Sequence, residues 1–411
     1  RSIMKLKVLH VIGGSFDNGA FKGAHILHKS LIKKKISSKI LSDAQFSNQV
    51  KKKTDYKKII FFNKKFFDKI FNKIFIYLKK FIKFIFLHSP RDTFNICFFG
   101  FNITKFKEYK EADIIHIHWL REGFINIKSL SKIDKPVVWT MRDMWPFNGG
   151  PHYTMDFKKY EKTYFSRILK NYKMRNYNEN FNFIAVSDWL KKEAQRSYVL
   201  KKFNINQIDN NIDISELSLI KKKKARFDLN INTKKQIICY GAQNPQSKRK
   251  GWHIFTNTLK LLDKSNFFLL IFGNFWSHKT LEDIGIEYKS LGYVDDKITL
   301  SKIYSSADIF VASSIQDAWP KTFAEAMFCK SPVVCLNNTS ISEIIDHKVN
   351  GFITKNHSSS ELKNGIEWVS AQLKKNKNLG KNAKKKILNY DVNLISSKYI
   401  SLYKKILKKK I

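Results

Sequence analysis

Cysteine, proline and glycine are all scarce, at four, seven and 16 among 411 residues. The cysteines (Cys97, Cys239, Cys329, Cys335) are far apart and form no C-x-x-C pair. That spacing sets aside a disulfide scaffold, and with three of them inside apolar runs they are expected to be reduced core residues. Acidic residues are also few, 34 against 76 Lys and Arg, for a formal net charge of +42. Such an excess draws a protein toward nucleic acid or an anionic lipid surface. The same abundance of Lys, Asn, Ile and Phe, with little Gly and Pro, would follow from an AT-rich genome, so composition alone does not select the partner. No long apolar run is uninterrupted: FNKIFIYLKKFIKFIFL (Phe71 to Leu87) is broken by Lys73, Lys79, Lys80 and Lys83, which argues against a bilayer span. No signal peptide is evident. Arg1-Ser2-Ile3 reads as an extension ahead of a start at Met4, residues 5–12 read as a strand, and a cytoplasmic location is expected. Neither a G-x-G-x-x-G nor a D-x-D triplet occurs, and no short-period repeat is visible.

What is present is a chain that is 43% hydrophobic, long enough to bury a sizeable core. KVLHVIGG (Lys7 to Gly14) reads as a strand running into glycines, followed by a helix near Gly19 to Lys35 and a second strand, SSKILSD (Ser37 to Asp43). Further apolar runs follow at ADIIHIHWL (112–120), KPVVWTM (135–141) and FNFIAVSDW (181–189). The pattern restarts at KKQIICYGA (234–242) and continues through FFLLIFGN (267–274), ADIFVASS (307–314) and SPVVCLNN (331–338). Short apolar runs alternating with helices predict buried parallel sheets, hence an α/β protein of two successive doubly wound, Rossmann-like units. The join is expected within Gln207 to Leu229, where turn formers lead into a lysine run.

Between Lys51 and Leu87, apolar residues from Phe62 to Ile85 fall at helical spacing while Lys65, Lys69 and Lys73 recur on another face. This segment, 51–88, reads either as a basic amphipathic helix on anionic lipid or as helices packed on the first domain with a solvated lysine face.

In open parallel sheets ligands sit beyond the carboxyl ends of the strands, which directs attention to the loops there. In ADIFVASSIQDAWPKTFAEAMFCKSPVVCL (307–336), Asp317 and Glu325 have seven residues between them and Pro320 and Thr322 open a helix. A carboxylate suits a cis-diol, and amides near Thr322 and Phe323 could receive a diphosphate. Thr322-x-x-Glu325 is equally a capping box. In YGAQNPQSKRKGWHIF (240–255), three consecutive cations precede Gly251 and a helix, bringing Arg249 and Lys250 to the place where a departing diphosphate needs fixed positive charge. An exposed basic turn is the plainer alternative. Adjacent Asp295 and Asp296 precede a helix and are expected to cap it rather than bind metal.

These segments resemble glycosyltransferase family 4, the metal-independent retaining enzymes of GT-B fold, with Asp317 in place of the first Glu of the usual E-x7-E. The resemblance runs over most of the chain. NGAFKGAHILHKSL (18–31) is similar to the family's glycine-containing helix entry. IHIHWL with WTMRDMWPFNGGPHY (139–153) resembles a subgroup associated with colanic acid, capsule and O-antigen assembly. The resemblance implies two Rossmann-like domains facing a central cleft: an N-terminal acceptor domain (4–210), a C-terminal donor domain (211–388), and a C-terminal helix (389–411) able to cross back. It implies Asp317 near the donor sugar, Glu325 on the ribose hydroxyls, and Gly19, Gly241, Arg249, Lys250, Thr322 and Phe323 around the donor. Arg249 is expected to supply the charge that many members place at Ala242.

His118 corresponds to the family's pocket histidine, giving a catalytic set of His118, Asp317 and Lys250; His116 points to the same side, and satisfied core histidines are the ordinary alternative. Arg142 replaces the common His of an H-D pair, and Arg142, Asp143 and Trp145 are expected toward the acceptor. Asn211 replaces the common Gly of an N-G turn, and since Asn tolerates the left-handed conformation the fold is expected to survive. The partners implied are a nucleotide-sugar, UDP by family frequency, a glycan or lipid-linked acceptor, and the inner face of the plasma membrane, with no cofactor and no metal. Nicotinamide chemistry is disfavoured by the missing glycine fingerprint. Nucleic-acid binding is disfavoured because much of the charge lies at 51–83 and in the terminal KKILKKK, away from the ordered motifs. An inactive relative serving as a partner subunit is the third alternative.

Overall fold

The computed structural model describes residues 6–14, 18–43, 59–61 and 94–408; apart from the strand Ile59–Phe61, the candidate amphipathic segment 51–88 lies outside the described residues. The chain forms two compact units, one of residues 1–211 with 392–411 and one of 212–391. The first unit holds β1 (Lys7–Ile12), β2 (Ser37–Ser42), β3 (Ile59–Phe61), β4 (Ile114–Trp119), β5 (Val137–Met141), β6 (Phe181–Ala185) and β7 (Ile205–Gln207). They pair in parallel in the order β3-β2-β1-β4-β5-β6-β7. Strand order reverses between β1 and β4, which makes their carboxyl ends the natural crevice of this unit.

The C-terminal helix Val392–Lys408 packs on this sheet with the helix Gly19–Lys33. Ile395, Tyr399 and Tyr403, four apart, lie on one face and are buried with Leu27, Leu31, Val8 and Ile114. The Ser30 and Ser396 hydroxyls meet at 2.8 Å between the two helices.

The second unit holds β8 (Gln236–Gly241), β9 (Phe267–Phe272), β10 (Tyr288–Ser290), β11 (Ile309–Ala312), β12 (Val333–Cys335) and β13 (Gly351–Ile353), all parallel, in the order β10-β9-β8-β11-β12-β13. Its switch point falls between β8 and β11, so the loops after these two strands converge. The lysine run expected within the join forms the helix Lys222–Asp228, whose Arg226 donates to Asp308 at 2.6 Å. Asn211 is buried and is not among the residues of positive φ. Its amide reaches Gly23 O at 3.4 Å, so this asparagine is kept for a side-chain bond and not for a left-handed turn. All four cysteines are buried and unpaired with one another. Among the described residues no helix is long and apolar enough to cross a membrane.

Candidate active site

In the second unit the crevice is lined by Tyr240, Gly241 and Ala242 from the end of β8, by Val311 to Ser314 from the end of β11, and by Lys250, Pro320 and Thr322, and it is open to solvent. The cation loop is fastened to the β11 loop by backbone. Ile315 N donates to Arg249 O at 2.8 Å, and Ser313 Oγ donates to Lys250 O at 2.9 Å. Gly251 makes this approach possible: it has φ +70°, and a Cβ there would lie 1.9 Å from Ser313 O. Gly251→Ala is therefore expected to cost about 1–2 kcal/mol for the left-handed backbone alone. Thermal melts of wild type and variant check this. Gly241 has a packing reason of its own, since a Cβ would sit 2.3 Å from the Phe272 ring.

Lys250 and Arg249 converge on Asp317. The Lys250 ammonium bonds Asp317 Oδ2, Arg249 Nη1 lies 3.3 Å from the same oxygen, and Trp319 N donates to Oδ1 at 3.3 Å. Burial works against ionisation of Asp317, but Lys250 and Arg249 outweigh it and hold the carboxyl below its usual range. The result is a carboxylate facing two cations at the mouth of the sheet.

The helix Lys321–Phe328 follows. Its N-cap is Pro320, with no side-chain cap, so the capping box does not form. Glu325 is 6% exposed and spends its oxygens elsewhere: Oε1 accepts from Lys297 Nζ at 2.5 Å and Oε2 from the Tyr304 hydroxyl at 3.0 Å. Thr322 and Glu325, three apart, share a helix face. Phe323 is fully buried against Trp319, leaving only its amide for a ligand. Asp296 caps its helix through Thr299 N at 2.7 Å.

In the first unit the β1/β4 crevice rests on a layer of histidines. His10 faces His116 in the strand register, and the His116 and His118 rings stack at 4.0 Å. His118 is 1% exposed; its Nε2 lies 2.8 Å from His10 Nδ1, and its Nδ1 accepts from Arg142 Nη2 at 3.4 Å. Both ring nitrogens of His118 therefore face protein groups. The tautomer follows from the acceptor role: a neutral His118 donates through Nε2, which leaves the proton of His10 on Nε2. His116 bonds the Tyr403 hydroxyl at 2.6 Å and Thr140 Oγ1 at 2.7 Å, and Tyr399 completes the chain at 2.8 Å from Thr140. Burial first, then neighbouring positive groups including Arg142, keeps His10, His116 and His118 well below the ordinary imidazole value.

The three imidazoles are close enough to hold an ion in principle. Five of their six ring nitrogens, however, meet hydrogen-bond partners, His10 Nε2 being buried without one, and the Arg142 guanidinium beside them adds a repelling charge.

Arg142 itself is half-buried against Gly23, where a Cβ would lie 2.7 Å from Nη1; it bonds Asn210 Oδ1, and its Nε is buried without a partner. Among the described residues no carboxylate pairs with it. The companion acceptor candidates are differently employed. Asp143 is committed to His152 at 2.6 Å, Trp119 at 2.8 Å and Trp145 N at 2.9 Å, while the buried Trp145 ring donates to Asn95 O at 2.8 Å. Both hold the 142–153 loop in shape. Gly19 opens its helix behind the N-cap Asn18 and has open space where a Cβ would stand.

Sequence reasoning missed His10, Lys297 and Tyr304. A histidine inside the apolar strand KVLHVIGG was a signal for the first; the other two stand 28 and 21 residues from Glu325 with no motif joining them.

Comparison with known proteins agrees with this geometry. Residues 69–216 match the model described as Glycosyltransferase Family 4, and residues 221–386 match Glycosyl transferases group 1. An uncharacterized glycosyltransferase of Methanocaldococcus jannaschii is 27% identical over 71% of this chain and 75% of its own length. The N,N'-diacetylbacillosaminyl-diphospho-undecaprenol alpha-1,3-N-acetylgalactosaminyltransferase of Campylobacter jejuni is 27% identical over 46% of this chain, which spans half of that enzyme. Among solved structures, Anabaena HepE in complex with UDP-glucose superposes with a TM-score of 0.68 at 17% identity, covering 97% of this chain and 100% of that one. Sucrose-phosphate synthase of Thermosynechococcus elongatus does so with 0.71 at 15%, covering 98% and 100%. With family models over both units and a GT-B fold, the chain belongs to the glycosyltransferases of family 4 and is an enzyme that transfers a glycosyl group.

Proposed function

We propose that this enzyme is a retaining transferase that moves a hexose or N-acetylhexosamine from a UDP-sugar to a glycan or lipid-linked glycan. It does so in the assembly of cell-surface polysaccharide or lipopolysaccharide, at the cytoplasmic face of the membrane. One observation carries the reading: Arg249 and Lys250 stand together at the carboxyl end of the second sheet, held there by Gly251 and Ser313, with one carboxylate between them. A departing diphosphate takes up such charge, and Asp317 is then released toward the donor sugar. Glu325 receives the ribose hydroxyls, and the Thr322 and Phe323 amides receive phosphate oxygens. Arg142, without a carboxylate partner, faces an anionic group of the acceptor. A diphospho-lipid acceptor in the Campylobacter relative's name and UDP-glucose in the HepE complex support the substrate classes.

With cations supplied by side chains, the reaction needs no metal. Activity is expected to be unchanged by EDTA, and a thermal-shift panel of UDP-, GDP- and dTDP-sugars is expected to show a UDP-selective rise that Glu325→Ala and Lys250→Ala remove. A shift confined to GDP-sugars would refute the nucleotide, and an inverted anomeric centre in the product by NMR would refute retention.

A further inference from the structure

Glu325 is gripped from one side by a single helix. Lys297 and Tyr304, seven apart in Lys297–Ser306, reach opposite oxygens of its carboxylate, at 2.5 Å and 3.0 Å. Seven residues is two helical turns, so both donors lie on one face. The helix itself gives no reason for the lysine. A cation in the first turn opposes the positive end of the dipole, and Asp296 already caps this terminus. Burial acts against the charge on Lys297, yet Glu325, and beyond it Glu216 and Asp295, raise its pKa above the ordinary value. Burial and then Glu325 push Tyr304 well above the phenol range, so its hydroxyl can only donate to the carboxylate.

A carboxylate has about four acceptor positions, and these two donors occupy one on each oxygen. The remaining pair is fixed in direction, as recognition of a vicinal diol requires, since two adjacent hydroxyls must meet both oxygens at once.

We propose that Lys297 and Tyr304 are positioning residues for donor recognition: they orient the free lone pairs of Glu325 toward the 2′- and 3′-hydroxyls of the donor ribose. Preference for a ribonucleotide over its 2′-deoxy form then depends on Lys297. The inference rests on the ribose role proposed for Glu325.

The test is competitive inhibition by UDP and by 2′-deoxy-UDP, or by the corresponding pair for whichever nucleotide the panel selects. Wild type, Lys297→Met, Lys297→Arg and Tyr304→Phe are compared, each with kcat and donor KM. Wild type is expected to prefer the ribo form by about tenfold or more, the worth of one hydrogen bond to a charged group. In Lys297→Met the preference collapses toward unity and donor KM rises about tenfold while kcat stays within about twofold, the signature of lost uniform binding. Lys297→Arg, which keeps the charge and is the variant to read if Lys297→Met fails to fold, restores most of the preference. Tyr304→Phe gives a partial loss. An undiminished preference in folded Lys297→Met, or a lost one in Lys297→Arg, overturns the inference. A wild-type enzyme indifferent to the 2′-hydroxyl overturns the ribose role of Glu325 itself, before any variant is read.

Discussion

Lys250→Ala is expected to lower kcat/KM by about 10²- to 10³-fold, the loss typical of removing one preorganised charge or donor from a transition state. The diphosphate leaves with charge that a fixed ammonium stabilises without reorganisation, and Lys250 lies in the crevice lining with its backbone held by Ser313. The variant also takes one of two cations from Asp317, which would keep Arg249 at 3.3 Å and the Trp319 amide at 3.3 Å. Leaving a buried carboxylate underpaired is itself costly. The two causes separate by denaturant unfolding read beside the kinetics: an underpaired carboxylate lowers stability, whereas a missing charge on the leaving group lowers kcat/KM at any stability, so Lys250→Ala/Asp317→Asn is expected to regain stability without regaining activity. Steady-state kinetics with saturating acceptor decide it, and a Lys250→Ala enzyme within about threefold of wild type would remove this residue from the chemistry.

Why the donor loop was legible in sequence, and its partners were not, follows from how each is encoded. Parallel strands buried on both faces must be continuous apolar runs, so β1, β4, β5, β8, β9 and β11 stand out, and the carboxyl-end rule then picks out Arg249, Lys250 and Asp317. The strands β7, β10 and β13 lie at sheet edges with three residues each, INQ, YKS and GFI, all too short for a run to show and the first two also too polar.

Side-chain partnerships across elements have no period at all. Thr322-x-x-Glu325 satisfied a local capping pattern, yet tertiary structure gave Glu325 to Lys297 and Tyr304, because a buried carboxylate gains more from a cation and a hydroxyl than from its own helix end. The histidine layer shows the same limit. His118 was placed correctly at a strand end, but its two nitrogens are taken by His10, from a strand more than 100 residues earlier, and by Arg142.

Lys173→Met is expected to change how stability depends on pH. Lys173 is 1% exposed, with no carboxylate of the described residues on its amine; it donates to Trp145 O and to Asn148 O (2.7 Å) and sits 3.6 Å over the Trp145 ring. Burial depresses its pKa to about 7, against an ordinary value of 10.5. Between these values the unfolded chain holds a proton that the folded chain has released, so this residue makes stability rise with pH across that window; below it both states are protonated and the contribution is flat. The slope is at most about 1.4 kcal/mol per pH unit, or roughly 3 kcal/mol between pH 7 and 9.5. Denaturant unfolding of both proteins at those two pH values isolates the term, because every other titrating group cancels in the difference. Wild type should gain on the methionine variant as pH rises, whichever is the more stable at pH 7. Parallel pH profiles would mean that the amine stays charged in the folded protein, held by the two carbonyls and the indole face, and that the 142–153 loop is clamped by a cation at every physiological pH.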